Sequence, residues 1–298
     1  MKHVYGTPEA FKQALERRLL TDAIAAGHDV HRVRQLLIFD RFLARVFATS
    51  DDWLLKGGLV LDLRVARART TRDVDLRTLG AADRVLTRLQ QAALVDLGDY
   101  LAFQVGEDRD NSTIDGEGVA YGGRRFRVTA TLAMRPYGAP FGVDVVIGGP
   151  VTGEIEVAQG RPYLAFADIA PAQVRLIPVE QHVAEKLHAL TMPRPGPNSR
   201  VRDFPDLLLL AGTGAHASQQ LRVAIDVTFA FRATHAVPAS LPPLPADWAG
   251  KYAKIAREIG LPWPSFAVAE LALRQFLDPV LAGESGTWEP EAWRWGAE

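Results

Sequence analysis

Cysteine is absent from the 298-residue chain. Its absence removes a disulfide framework, a thiolate zinc site and a cysteine nucleophile together. No apolar run approaches the roughly 20 residues that a membrane helix needs. The opening Met1-Lys2-His3-Val4-Tyr5-Gly6 lacks the apolar stretch of a secretory signal. An excess of either charge is missing as well: 34 basic side chains face 35 acidic ones, a net charge of −1. A globally basic nucleic-acid binder is thereby excluded, and any such surface must be a local patch. Neither a Gly-x-Gly-x-x-Gly fingerprint nor a Walker A loop occurs, and no serine sits in a Gly-x-Ser-x-Gly elbow. No His-x-x-x-His pair supports a zinc site. These absences lead to the expectation of a soluble cytoplasmic protein without a membrane partner. What is present is globular: 48% hydrophobic residues, enough for one large or two modest cores.

The first fifty residues read as two helices. Thr7 is placed to cap, Pro8 suits the first helical position, and Phe11, Leu15 and Leu19 recur at helical spacing. Gly27 ends that helix and Asp29 opens the next, with Leu36, Phe39, Leu43 and Val46 as its apolar stripe. Arg32, Arg34, Arg41 and Arg45 are expected on solvated faces. From Trp53 to Gly149 the pattern changes to short strands around 53–55, 74–76, 126–132 and 142–147, with a helix over 81–94. The polar, glycine-rich stretch 106–123 reads as a hairpin or irregular excursion. A strand near 154–157 follows, then helices from Pro178 onward and over 204–211, 216–234, 247–259 and 265–282. Pro193 to Ser199 must be loop, and Pro238 to Pro245 a stiff connector. No internal repeat is visible. The fold class expected is α+β: N-terminal helices, a mixed sheet and a helical C-terminal part.

The chemistry concentrates in Lys56-Gly57-Gly58 and in Arg64, Arg67, Arg69 and Thr70-Thr71-Arg72-Asp73-Val74-Asp75-Leu76. Two glycines after a strand permit a tight turn and a close backbone approach to a ligand. Asp73 and Asp75, two residues apart on a strand, project from one face. Paired carboxylates repel one another unless a cation lies between them, and hard oxygen donors suit Mg²⁺. The neighbouring arginines are forked donors for phosphate. Asp144 interrupts an apolar strand and needs a partner: a third place at the same cation, or a salt bridge to an arginine at 124–127.

These residues resemble the AbiEii/AbiGii-type nucleotidyltransferase toxins (MenT-like toxins), members of the DNA polymerase β-like nucleotidyltransferase superfamily. The resemblance rests on the Gly-Gly turn before Asp73-Val74-Asp75. It rests also on Ala184-Glu185-Lys186-Leu187-His188-Ala189-Leu190 and on Arg202-Asp203-Phe204-Pro205-Asp206-Leu207. It spans about residues 30–290. Of the family's Gly-Gly or Gly-Ser turn this chain has Gly-Gly, so position 58 offers no hydroxyl, and Pro205 stands where many members carry an N–H.

The resemblance implies a polymerase β-like core over residues 1–175 and a helical C-terminal domain over 176–298 that contributes Lys186 and Asp206. It implies that Asp73, Asp75 and Asp144 hold one or two Mg²⁺ ions, and that Asp144 can also take the proton of the attacking hydroxyl. Lys186 then binds triphosphate, and Asp206, favoured over Asp203, positions Lys186 or the acceptor. Lys56, Gly57, Gly58, Arg64, Arg69, Thr71 and Arg72 complete the nucleotide-binding set. The implied activity transfers a nucleoside monophosphate from an NTP to an acceptor, the tRNA 3′ end, blocking translation; the implied partner is a cognate antitoxin. Modification of a protein or small molecule, and a non-catalytic nucleotide- or RNA-binding module, remain the alternatives. Candidate RNA-facing arginines lie at 64–77, 124–127 and 194–202. His182 and His188 are expected to be packed rather than catalytic. Trp288, Trp293 and Trp295 read as anchors of a wrapping tail, with base stacking as the rival reading.

Overall fold

A computed structural model describes residues 5–65, 71–80, 84–108 and 123–297. Helix α1 (Pro8–Ala26) begins where the Thr7 hydroxyl accepts from the Ala10 N–H and ends at Gly27, whose φ of 64° is left-handed. Its stripe of Phe11, Leu15 and Leu19 is buried, each side chain contributing about 1.5–3 kcal/mol. Helix α2 (Val30–Thr49) is capped by the Asp29 carboxylate, which accepts from the His31 N–H. Its arginines correct one expectation. Arg41 and Arg45 are buried rather than solvated, and both grip Asp99, Arg45 through Nη2 at 2.7 Å and Arg41 through Nε at 2.9 Å. A carboxylate distant in sequence lets these charges leave water, and the two guanidinium groups hold its pKa below the ordinary value against the opposing effect of burial.

Strand β1 (Trp53–Lys56), helix α3 (Gly58–Arg64), strand β2 (Val74–Thr78), helix α4 (Val85–Ala93) and strands β3 (Leu101–Glu107), β4 (Arg124–Leu132), β5 (Arg135–Pro136) and β6 (Phe141–Ile147) follow. After β7 (Glu156–Gln159) and β8 (Gln173–Leu176) the chain turns helical. The helices are α5 (Val179–Thr191), α6 (Asp203–Ala211), α7 (Ser218–Arg232), α8 (Ala249–Ile259) and α9 (Phe266–Ala282). Among the described residues the main sheet runs β3-β4-β6-β2-β1-β8-β7, with β5 beside β4. The β2–β6 and β1–β8 pairs are parallel, and the others are antiparallel. A small second sheet joins β9 (His216–Ala217), β10 (Thr287–Glu289) and β11 (Arg294–Gly296).

The α+β class expected from the sequence is the class observed. The periodicity did not isolate α3, β3 or β8, although Leu101, Phe103 and Val105 alternate inward along β3. The helix expected over 81–94 is observed from Val85, residues 81–83 lying outside the described residues, as does 109–122 of the expected excursion. Two buried apolar clusters organise the molecule. One joins α1, α2, α4 and the main sheet and ends at Ile177. The other joins α5 to α9 with Leu61 of α3 and Trp288 of β10. The indole N–H groups of Trp288, Trp293 and Trp295 donate to the carbonyls of Ala211, Ala272 and Phe276, so the tail is pinned to α6 and α9. The anchor reading accounts for these rings.

Candidate active site

Sheet register assembles the site. Lys56 of β1 lies opposite Asp75 of β2, Asp75 opposite Asp144 of β6, and Asp144 opposite Arg125 of β4. Residues directly opposite share a face, with Cβ atoms about 5 Å apart. One row of side chains therefore crosses four strands with charges plus, minus, minus, plus. Val74, Leu76, Val143 and Val145, the alternate residues, are fully buried in the sheet-and-helix cluster. Period-2 alternation thus puts the charges on one face and seals the other.

The outer cation of that row is committed. Arg125 donates to both oxygens of Asp144, from Nε at 2.6 Å and from Nη2 at 2.7 Å, a forked pair. Of the alternatives weighed for Asp144, the salt bridge to an arginine at 124–127 is the contact observed. Asp73, one residue before β2, accepts from the Gly142 N–H at 3.2 Å. Glycine is needed beside both acids. A Cβ on Gly142 would lie 2.7 Å from the Asp73 Oδ1, and one on Gly57, with φ +69°, would lie 2.0 Å from the Asp75 Oδ2. The Gly57 backbone therefore packs directly against the central carboxylate, the close approach expected of the turn.

Helix α5 carries the opposing charges. Lys186, 8% exposed, donates to Asp203 at 2.9 Å and to Asp206 at 2.7 Å, both from the first turn of α6. The two aspartates hold the ammonium jointly. Pro205 is accommodated because α6 starts at Asp203, where an N–H is not yet required. Glu185, next to Lys186, takes Lys56 at 2.7 Å and lies 3.6 Å from Arg232 and 3.9 Å from Arg77. Those three cations hold its carboxyl at about 2, well below the usual range, although burial opposes them.

Asp75 is pushed the other way, to about 6, first by burial and then by the Asp144 charge, against the pull of Lys56 and Lys186. A central carboxylate that resists ionisation beside two other acids is a donor set short of positive charge. Asp73 and Asp75 match the one or two carboxylates that Mg²⁺ takes from protein. Among the described residues, no group of three or more His, Asp or Glu is gathered closely enough to hold a metal ion, Asp144 being committed to Arg125.

The remaining candidates fall in several places. Thr71 donates to the Asp73 carbonyl at 3.2 Å and so shapes the approach to the acids. Arg72 is exposed beside Asp73. Gly58 opens α3. Arg64 lies against Glu156 and the Ile177 carbonyl, lining a separate cleft with Thr152 and Glu180. Arg69, with Arg67, lies outside the described residues. His182 is 2% exposed, with both ring nitrogens unbonded and its pKa held well below the ordinary value by burial and by Lys186. It packs as a neutral ring.

Glu185 was not singled out in the sequence, and Arg125 only as one of the arginines at 124–127. Glu185 had a signal in its place beside Lys186. The choice of Arg125 over Arg124 and Arg127 needs the β4–β6 register, which the sequence does not display.

A family model described as "Nucleotidyl transferase AbiEii toxin, Type IV TA system" matches residues 41–277. A search of curated proteins finds no match. Among solved structures, the chain is similar to MenT4, a nucleotidyltransferase toxin of Mycobacterium tuberculosis H37Rv, at 14% identity and a TM-score of 0.57, over 94% of this chain and 92% of that one. It also matches JHP933 of Helicobacter pylori at 17% identity and a TM-score of 0.41, over 82% of this chain and 91% of that one. The family match spans most of the chain and includes the Asp73–Asp75 strand, Asp144, Lys186 and Asp206. The chain belongs to the AbiEii family of nucleotidyltransferase toxins of type IV toxin–antitoxin systems.

Proposed function

We propose that this nucleotidyltransferase moves a nucleoside monophosphate from an NTP to the 3′-terminal hydroxyl of tRNA, with Mg²⁺ at Asp73 and Asp75, and so stops translation in the cytoplasm until its antitoxin intervenes. The observation that carries the reading is the row Lys56–Asp75–Asp144–Arg125, with Asp73 beside it and the Lys186 charge acting on Asp75. Bound there, the cation would supply positive charge to the α-phosphate and to the oxygens gained and lost by it. The acceptor oxygen forms a bond to the α-phosphorus, the bond to the β-phosphate oxygen breaks, and pyrophosphate departs with that electron pair. The acceptor proton passes to a carboxylate of the row. Asp144 is the sequence-based candidate for this step, and would serve as base were Arg125 to leave it for phosphate. Lys186, positioned by Asp203 and Asp206, offsets charge gathering on the leaving pyrophosphate. Lys56 and Arg72 are the other phosphate-facing cations, and Gly57 leaves room for Asp75.

The test incubates the protein with total tRNA, Mg²⁺ and each of the α-³²P-labelled NTPs in turn, beside Asp73→Ala. Label entering tRNA only with the unaltered protein is the expected result. Label on no tRNA with any nucleotide overturns tRNA as acceptor, and pyrophosphate release with a protein or small-molecule acceptor would then identify the replacement.

A further inference from the structure

Beside the catalytic face lies a second feature that, Arg72 apart, the chemistry above does not use. A cleft of about 490 Å³ is walled by Arg72, Arg202, Lys251 and Lys254, with one acid, Glu258, at its edge. Val201 and Ile255 give its apolar lining. In a chain with a net charge of −1, four cations against one acid is a strong local departure. All four are exposed, and among the described residues none of them forms an ion pair. Elsewhere in the molecule arginines are routinely engaged, as at Arg34–Glu16, Arg88–Asp52 and Arg274–Glu270.

The position of the cleft is as informative as its charge. Arg72 directly precedes Asp73, and Arg202 directly precedes Asp203, which holds Lys186. Lys251 and Lys254 lie three residues apart on α8, hence on one face of it. Residues adjoining both halves of the catalytic site thus line one cleft together with α8. Open, solvated lysines and arginines without a buried donor pocket suit a phosphate chain read by charge, not a single nucleotide held by shape.

We infer that Arg72, Arg202, Lys251 and Lys254 form the track that holds the phosphodiester backbone of the RNA acceptor as its 3′ end enters the site. The inference rests on the reading that the acceptor is RNA, and it assigns to α8 a binding role separate from NTP binding and chemistry.

The experiment compares the protein with Lys251→Ala/Lys254→Ala and with Lys251→Arg/Lys254→Arg. Fluorescence anisotropy of labelled tRNA is read across a salt series at fixed Mg²⁺, and binding of labelled NTP is read separately. In the alanine pair, tRNA affinity should fall at least about tenfold, and the slope of log affinity against log salt should become shallower by about 1.4–1.8, the share of two phosphate contacts. NTP affinity should stay unchanged, and the arginine pair should restore tRNA binding. Unchanged tRNA affinity and slope in the alanine pair would overturn the track, as would loss of NTP binding in place of tRNA binding, which would make the cleft a triphosphate site. Failure of the unaltered protein to bind tRNA would overturn it as well. Salt-dependent, lysine-dependent tRNA binding with no label transferred would remove tRNA as the acceptor hydroxyl while leaving the track standing. Label transfer that persists alongside intact tRNA binding in the alanine pair would do the reverse.

Discussion

Replacing Asp75 by Asn should stabilise the protein at neutral pH while abolishing transfer. Burial and the neighbouring Asp144 raise the Asp75 pKa from 3.8 to about 6, so its ionised form is disfavoured in the folded state. Between these values the folded protein holds a proton that the unfolded chain has released. Stability therefore falls as pH rises through the window from 3.8 to about 6, and the full cost is present above it. The gap corresponds to about 3 kcal/mol. For a chain of this length, unfolding entropy of about 0.6 kcal/mol/K turns that into a rise in Tm of about 5 °C. The asparagine keeps the shape and cannot ionise, so the gain should appear in EDTA at pH 7.5 and vanish by pH 4. Mg²⁺ should raise the Tm of the unaltered protein and close part of the gap, because a cation relieves the same repulsion. Calorimetric melts across pH with and without Mg²⁺ give all of these comparisons. Equal melting temperatures at pH 7.5, or a gap that persists unchanged at pH 4, would refute the claim that Asp75 is held ionised against its environment.

Lys186→Met should cost about 3–5 kcal/mol in urea unfolding, because it removes the ammonium that pairs with the fully buried Asp206. Lys186→Met/Asp206→Leu should recover much of that stability and none of the transferase activity, which separates the two roles of the lysine. Gly57→Ala places a methyl 2.0 Å from the Asp75 Oδ2 at a positive φ, and label transfer should fall at least about 10²-fold, the scale for losing one electrostatic stabiliser. A variant retaining full activity would remove the close approach from the mechanism. Asp99→Asn takes from buried Arg45 its carboxylate and leaves Arg41 with Asp40 alone, and should cost about 3–5 kcal/mol in the same urea assay.

The parts of this molecule that could be read from its sequence are those in which cause and consequence lie within a few residues. Thr7 and Asp29 announce the starts of α1 and α2, and Gly27 ends α1, because capping is a local hydrogen bond or a local φ. Asp73 and Asp75 share a face because strand geometry makes them do so. Counter-charges are a different matter. Arg41 and Arg45 look like surface residues until Asp99, more than fifty positions later, is placed between them. Arg124, Arg125 and Arg127 are equivalent until the β4–β6 register sets Arg125, and not its neighbours, opposite Asp144. Gly142 is an ordinary strand glycine until Asp73 is found where its side chain would have been.

That division explains the form of the site. Two acids stand side by side on β2 and β6, an arrangement that costs stability, and the fold supplies compensation at both ends of the row and none in its middle. Arg125 closes one end and Lys56 stands at the other, but Lys56 is drawn towards Glu185 and Lys186 towards Asp203 and Asp206. Each cation near Asp75 is thus partly neutralised by another acid, and Asp75 stays above its ordinary pKa. A fold selected only for stability would replace such a carboxylate. With the flanking charges already committed, added positive charge at Asp75 would relieve that cost, which is why the proposed Mg²⁺ is put there.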